Sequence, residues 1–127
     1  MAGTPNFKFL SLLYTNTLEF GLQRTRRRVE GFGAALASAP EELVYALESK
    51  QPLRVRLDPR FEADVMRVMR TRYHFSKLQE TYFVVITDWQ ALHALLKSDL
   101  TPYYAKIADL PPLKPGEPCE SDVLIAL

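Results

Sequence analysis

The sequence has 127 residues, of which 47% are hydrophobic and 24% are charged. That length fits one domain, which can bury about two thirds of the surface that its unfolded chain exposes, and the composition excludes wholesale disorder. The formal charge of +1 excludes a strongly basic nucleic-acid coat protein and an acidic mimic of DNA.

The charge is unevenly distributed along the chain. Residues 1–77 hold 13 basic and 8 acidic side chains, whereas residues 78–127 hold 3 and 7. This asymmetry indicates either a basic and an acidic face or two halves that neutralise each other in the fold. The single cysteine, Cys119, excludes an internal disulfide, and no run reaches the ~20 apolar residues that cross a bilayer. We therefore expect a cytoplasmic protein with no membrane partner.

The first element predicted is a long N-terminal amphipathic helix. Its apolar residues recur at helical spacing, at Phe7, Leu10, Tyr14, Leu18, Leu22, Val29 and Leu36. Asn16 and Glu19 have the spacing of a capping box, so the segment is one continuous helix or two helices with a kink. Gly31 and Gly33 weaken its C-terminal end.

An arginine cluster, Arg24, Arg26, Arg27 and Arg28, lies in the stretch QRTRRRVEGFG. Most of these arginines fall opposite the apolar stripe on a helical wheel, which favours an exposed polar face. The alternative is a patch that binds phosphates or an acidic partner, since arginine favours bidentate contacts with such groups.

The next elements are a helix, a strand and a second helix. SAPEELVYALESK has proline at the first helical position and glutamates in the first turn. Leu53, Val55 and Leu57 alternate with Arg54 and Arg56, which predicts a half-buried strand over 53–57. Asp58 and Pro59 then open a helix that carries two further arginines, Arg60 and Arg67.

A β-hairpin is predicted over residues 73–78 and 82–87, because the run YFVVI is typical of a central strand. A helix with Thr87 and Gln90 as a capping box and a short helix from Thr101 follow. The predicted core includes Phe61, Val65, Val84, Ile86 and Trp89. The fold class is therefore α+β: a small antiparallel or mixed sheet of about three strands packed against helices.

An extended proline-rich C-terminal tail follows a single domain over residues 1–110. Residues 111–127 hold four of the nine prolines, and these residues exclude a helix from the first part of the tail. The tail ends in an apolar segment with Val123, Leu124, Ile125 and Leu127, which predicts docking as an added strand or in a groove, on this chain or on a partner.

Catalytic and metal-binding motifs are not discernible in the sequence. Two histidines, His74 and His93, and one cysteine are too few for a zinc site built from these residues. The sequence contains neither a dinucleotide-binding nor a P-loop glycine pattern. We therefore predict no catalytic residues, no cofactor, no metal and no enzymatic activity.

Two functions are compatible with these features. The first is a small non-catalytic adaptor, or an assembly or regulatory subunit, that binds a larger protein complex or forms a homo-oligomer. The alternative is a nucleic-acid-binding regulator that uses an arginine-rich face. The candidate partner- or phosphate-binding residues are Arg24, Arg26, Arg27, Arg28, Arg54, Arg56, Arg60 and Arg67.

Overall fold

The computed structural model describes residues 5–26, 28–74 and 78–126. The helices in these ranges are α1 (Pro5–Tyr14), α2 (Ala34–Ala37), α3 (Pro40–Glu48), α4 (Glu62–Met69), α5 (Trp89–Lys97) and α6 (Thr101–Ile107), and a π-helical segment, the π turn (Thr15–Glu19), follows α1. The strands are β1 (Leu22–Arg24), β2 (Val29–Gly31), β3 (Leu53–Leu57) and β4 (Thr81–Val85).

The four strands form one mixed sheet in the order β2-β1-β4-β3. β4 lies parallel to both of its neighbours, whereas β1 and β2 are antiparallel. All five residues of β4 are buried, which agrees with the strand that the run YFVVI predicts. A strand buried on both faces reads as a continuous apolar run because neither face meets water.

Helices cover both faces of this sheet. On one face, Phe83 and Val85 pack in a core with residues of α1, α4, α5 and α6. On the other face, Tyr82 and Val84 pack with Leu22 and with residues of α2 and α3. The predicted α+β class, a mixed sheet packed against helices, is confirmed.

The prediction of a long N-terminal helix is wrong beyond the π turn. The strands Leu22–Arg24 and Val29–Gly31 pair antiparallel instead, with Leu22 opposite Gly31 and Arg24 opposite Val29. Leu22 is fully buried because β1 lies beside β4, where Leu22 is opposite Val84. Leu22 and Val29 have the spacing of one helix face, but they are covered because they lie in paired strands.

The predicted hairpin over 73–78 and 82–87 is also wrong in its described residues. Tyr73, His74 and Leu78 lie outside any strand, and residues 75–77 fall outside the described ranges. The Gln79 side chain satisfies the backbone of His74, because its amide donates to His74 O at 2.7 Å and its carbonyl accepts from His74 N at 2.9 Å. The neighbours of β4 are β1 and β3, both parallel to it.

Residues 108–126 cross the domain after α6, with turns closed by the hydrogen bonds of Glu117 N to Lys114 O and of Asp122 N to Cys119 O. Leu113 exchanges backbone hydrogen bonds with Arg70 and Arg72, at 2.7 and 2.9 Å. Farther along, Arg56 N donates to Val123 O at 2.8 Å and Ile125 N donates to Arg54 O at 2.9 Å. These bonds place the tail antiparallel on the outer edge of β3, so the tail pairs with the sheet of its own chain.

Candidate functional site

The most unusual local structure is the π turn. Its defining hydrogen bond runs from Phe20 N to Thr15 O, at 3.1 Å, and Gly21 N then donates to Thr17 O at 3.0 Å. π-helical segments are rare and are found frequently at functional sites. The π turn is therefore a candidate location for a functional side chain.

Two buried polar side chains hold the π turn. The Asn16 amide donates to Thr71 O at 2.9 Å and to Val68 O at 3.4 Å, both at the end of α4. Thr17 Oγ1 donates to Leu13 O at 2.8 Å. Buried polar groups without partners destabilise a fold, so these bonds fix the turn to the domain.

Two glycines allow the chain to pass close to the π turn. A Cβ on Gly21 would lie 2.4 Å from Thr17 O, and a Cβ on Gly33 would lie 2.3 Å from Glu19 O. Gly21 O accepts hydrogen bonds from the backbone N–H groups of Phe32 and Gly33, both at 2.9 Å. Glycine is therefore required at both positions for close backbone approach.

The π turn carries an exposed carboxylate, Glu19, and the residue after it, Phe20, has an aromatic contact. Glu19 is exposed and makes no hydrogen bond or ion pair within the described residues. The ring of Phe20 lies 6.4 Å, centroid to centroid, from that of Tyr73. Tyr73 lines a cavity of about 310 Å³, the α1 cavity, whose other lining residues are Phe7, Lys8, Ser11, Leu12 and Arg72.

A second carboxylate, that of Glu42 on α3, differs from Glu19 because it accepts hydrogen bonds within the domain. Glu42 Oε2 accepts from the hydroxyl of Tyr82 at 2.6 Å and from Gln79 N at 3.1 Å. Burial, together with the hydrogen bond to Glu42, raises the pKa of Tyr82 well above its usual value. The phenol stays protonated and ties β4 to α3.

Five of the eight candidate arginines make contacts within the domain, and these are Arg28, Arg54, Arg56, Arg60 and Arg67. Arg54 is buried and donates to the carbonyls of Ala46 and Ser49 at the end of α3, at 2.7 and 2.5 Å. Burial lowers the pKa of Arg54 from its usual value. Carbonyls at a helix C-terminus lack intrahelical partners, and Arg54 satisfies them.

Arg56, Arg60 and Arg67 form ion pairs. Arg56 donates to both carboxylate oxygens of Asp64, at 2.8 and 3.1 Å. Arg60 binds buried Asp58 at 2.7 Å, and this hydrogen bond lowers the pKa of Asp58. Arg67 and Asp122 are both buried and lie 2.8 Å apart.

The arginine cluster lies on the β1–β2 hairpin. Arg24, Arg26 and Arg28 are exposed, and Arg27 lies outside the described residues. Arg28 pairs with Glu30 at 2.9 Å. The cluster is therefore brought together by a turn and not by a helix face.

Three of the four predicted docking residues, Val123, Leu124 and Ile125, lie along β3 with unequal burial. Val123 and Leu124 are 41% and 61% exposed. Ile125 is partly buried and packs on the core formed with α2 and α3. Leu127 lies outside the described residues.

Comparison with known proteins decides the family. Residues 2–107 match the family described as biopterin-dependent aromatic amino acid hydroxylase. The chain belongs to this family. Over 116 residues it is 38% identical to a phenylalanine-4-hydroxylase of Ralstonia nicotianae and 35% identical to one of Chromobacterium violaceum, in each case over 91% of this chain. These matches cover 35% and 37% of the relatives, so the chain spans about a third of their length.

Solved structures show the same likeness. The cobalt-bound phenylalanine hydroxylase of C. violaceum matches with a TM-score of 0.80 and 35% identity, over 93% of this chain and 40% of that one. A single-residue variant of the same enzyme matches with a TM-score of 0.81 over 94% of this chain and 42% of that one.

Family membership overturns the functions that we predicted from the sequence. The non-catalytic adaptor and the nucleic-acid-binding regulator are both wrong, because the matching family and relatives are hydroxylases. The prediction that the protein is not an enzyme is wrong for the same reason. That prediction rested on counts of histidine and cysteine in this chain, which spans about a third of the length of its relatives.

The described residues do not group the ligands of a metal ion. Within ranges 5–26, 28–74 and 78–126, no three His, Cys, Asp or Glu side chains are grouped so that they could hold a metal ion. Glu19 offers a carboxylate, a ligand that hard cations accept, and Phe20 and Tyr73 offer rings against which a flat heterocycle such as a pterin could stack. These groups alone do not fit a whole pterin or metal site.

None of the helices in the described residues is long and apolar enough to span a bilayer.

The π turn was not predicted from the sequence, although one local signal could have found it. Polar Asn16 and Thr17 interrupt an apolar helix just before Gly21, where an ordinary helix of this composition would continue. Asn and Thr side chains compete with the helical hydrogen bonds of the backbone, so such a pair marks a place where a helix can change its pitch.

Proposed function

We propose that this chain forms part of an enzyme that hydroxylates an aromatic amino acid with a biopterin cofactor. The observation that carries the proposal is the family match over residues 2–107, supported by relatives that are named phenylalanine-4-hydroxylases. Those names favour phenylalanine as the substrate. A reduced pterin supplies electrons for such a hydroxylation when it is bound.

The π turn is the part of this chain that we place at the ligand site. Its carboxylate, Glu19, is exposed and unpaired among the described residues, and the turn is fixed by buried side chains and by close glycine contacts. A carboxylate on a fixed turn favours binding, because little conformational entropy of the turn is lost when a ligand binds. A cytoplasmic location, indicated by the single cysteine, is part of the same proposal.

A chimera tests this function. In C. violaceum phenylalanine hydroxylase, the segment that aligns with this chain is replaced by the chain, and tyrosine formation from phenylalanine is measured in air with a reduced biopterin. We expect activity within about tenfold of the parent enzyme. A folded chimera that forms no tyrosine would contradict the proposal.

Two variants of the chimera test the role of the π turn. Glu19→Gln removes the charge but keeps the shape, so we expect tyrosine formation to fall at least 100-fold while the melting temperature stays within a degree. Glu48→Gln is the matched control, because Glu48 is also exposed but lies at the end of α3. Equal activity of both variants would remove Glu19 from the site.

A further inference from the structure

Thr71, two residues after the end of α4, lies at the centre of a buried hydrogen-bond network. Thr71 is fully buried, and each of its polar groups has a partner. Its N–H donates to Val68 O at 3.1 Å, its carbonyl accepts from the Asn16 amide at 2.9 Å, and its hydroxyl accepts from Arg67 Nη1 at 2.5 Å. The hydroxyl also donates to Arg67 O at 2.6 Å. Since bonds lost in the interior are not replaced by water, a shift of Arg67 is felt at Thr71 and at its other partners.

One end of this network lies in the π turn. Asn16 is only 4% exposed, and its amide donates to both Thr71 O and Val68 O. Glu19 follows three residues later in the same turn. If the π turn relaxed to the ordinary helical pitch, each following side chain would turn by one residue's step, about 100° around the helix axis. The bonds of Asn16 therefore fix the direction in which the Glu19 carboxylate points.

The other end of the network lies in the tail, beyond residue 107, where the family match ends. The Arg67 guanidinium donates to both carboxylate oxygens of Asp122, at 2.8 and 3.2 Å, and to Glu117 O at 2.7 Å. The same planar group donates to the Thr71 hydroxyl, and the fork of an arginine moves as one rigid unit. Without Asp122, this buried guanidinium lacks a counter-ion, so it turns towards water and leaves Thr71.

We propose that Arg67, Thr71 and Asn16 are positioning residues that couple the tail to the π turn. The Glu19 carboxylate then keeps its place only while Asp122 holds the tail on the domain. The role of Glu19 in this inference rests on the proposed function, whereas the coupling itself does not.

Amide hydrogen exchange tests the coupling in the 127-residue chain without any catalysis. Nuclear magnetic resonance gives the exchange rates of the Phe20 and Gly21 amides, which donate the hydrogen bonds of the π turn. The most protected amides of β4 report global unfolding in the same spectra. The parent is compared with Asp122→Ala and with a control, Leu92→Ala. Leu92 is fully buried on α5, so its truncation lowers global stability while the partners of Thr71 stay in place.

We expect Asp122→Ala to speed exchange of the two π-turn amides at least tenfold. Leu92→Ala should speed the β4 amides at least tenfold but the π-turn amides less than twofold. A smaller effect of Asp122→Ala, or equal acceleration of the π-turn amides by Leu92→Ala, would overturn the coupling. If Asp122→Ala lacks native near-ultraviolet circular dichroism, Asp122→Asn, which keeps the shape of the side chain, is judged by the same criteria.

A third variant, Thr71→Val, tests the route of the coupling. It removes the hydroxyl that Arg67 binds but keeps the carbonyl that Asn16 binds and nearly the same volume. In a Thr71→Val background, Asp122→Ala should speed π-turn exchange less than threefold, because Arg67 has already lost its bond to Thr71. An undiminished tenfold effect would overturn the route through Thr71.

The chimera described above shows whether the coupling affects catalysis. At a temperature at which every variant is folded, Asp122→Ala should lower tyrosine formation at least tenfold and Leu92→Ala less than threefold. Faster π-turn exchange with unchanged tyrosine formation would overturn the positioning of Glu19. A parent chimera that forms no tyrosine, with the exchange rates as expected, would contradict only the proposed function.

Discussion

The buried ion pair between Arg67 and Asp122 makes a specific prediction about the tail. The Arg67 side chain donates to both oxygens of Asp122, at 2.8 and 3.2 Å, and also to Thr71 Oγ1 and Glu117 O, at 2.5 and 2.7 Å. Both side chains of the pair are only 4% exposed. Arg67 thus joins α4 to the tail on either side of Cys119.

Replacing Asp122 by alanine leaves the guanidinium buried without its counter-ion. The change also removes the acceptor of Cys119 N, which lies 2.9 Å from Asp122 Oδ2. Breaking a buried pair by removing one partner costs about 3–5 kcal/mol. Because the tail can move away and let water reach Arg67, we expect the lower end, about 3 kcal/mol, and a melting temperature about 10–15 °C lower.

Urea unfolding of the isolated chain measures this loss. Glu120→Ala is the control, since Glu120 is exposed in the same segment and should change the unfolding free energy by less than about 0.5 kcal/mol. A double variant, Arg67→Met with Asp122→Leu, should lose less than Asp122→Ala, because no unpaired charge stays buried. An Asp122→Ala protein within about 1 kcal/mol of the parent would refute the reasoning that this pair holds the tail on its own chain.

Three further predictions follow from the described contacts. Gly33→Ala should lower the melting temperature and, in the chimera, tyrosine formation, because its Cβ would collide with the backbone of the π turn; unchanged activity would show that the turn can shift freely. The pKa of Asp58 is lowered by the hydrogen bond from Arg60, so its contribution to stability is present above about pH 4, the unfolded pKa, and is lost as the pH falls through the lower folded value. Urea unfolding should therefore find that Asp58→Asn destabilises the protein more at pH 7 than at a pH below 4, and a constant difference would contradict this linkage. Tyr82→Phe removes a buried hydrogen bond to Glu42 and should cost about 1–3 kcal/mol in urea unfolding, whereas a neutral result would show that water replaces the hydroxyl.

Some elements of the fold could be predicted from local sequence because their signals are local. Strand β3 has the predicted bounds, 53–57, since apolar residues alternate with arginines over this stretch, although the buried Arg54 shows that the strand is not covered on one face only. Helix α3 begins at Pro40, with glutamates in its first turn, as predicted. The start of α5 was off by one residue, because Asp88 and not Thr87 caps it, accepting from Ala91 N at 3.0 Å.

Burial of large side chains was less predictable. Phe61 and Trp89 were expected in the core but are 47% and 46% exposed. The guanidinium of Arg56 lies over the ring of Phe61 at 4.8 Å, and the ring of Trp89 lies 5.5 Å from that of Phe32. Aromatic side chains can cover much of their surface by such contacts while they stay partly exposed. The presence of a large aromatic residue therefore does not by itself predict that it is buried.

The sequence by itself determined the α+β class, the central strand and the starts of α3 and α6, because composition, periodicity and capping act over a few residues. Only the tertiary structure decided that the arginine cluster lies on a hairpin, that Arg54 and Arg67 serve the fold, and that the π turn presents Glu19. These features depend on contacts between residues far apart in the chain, such as the Asn16 amide on the carbonyl of Thr71. The spacing of residues within one segment does not indicate such distant partners. The candidate site could therefore be located only from the tertiary structure.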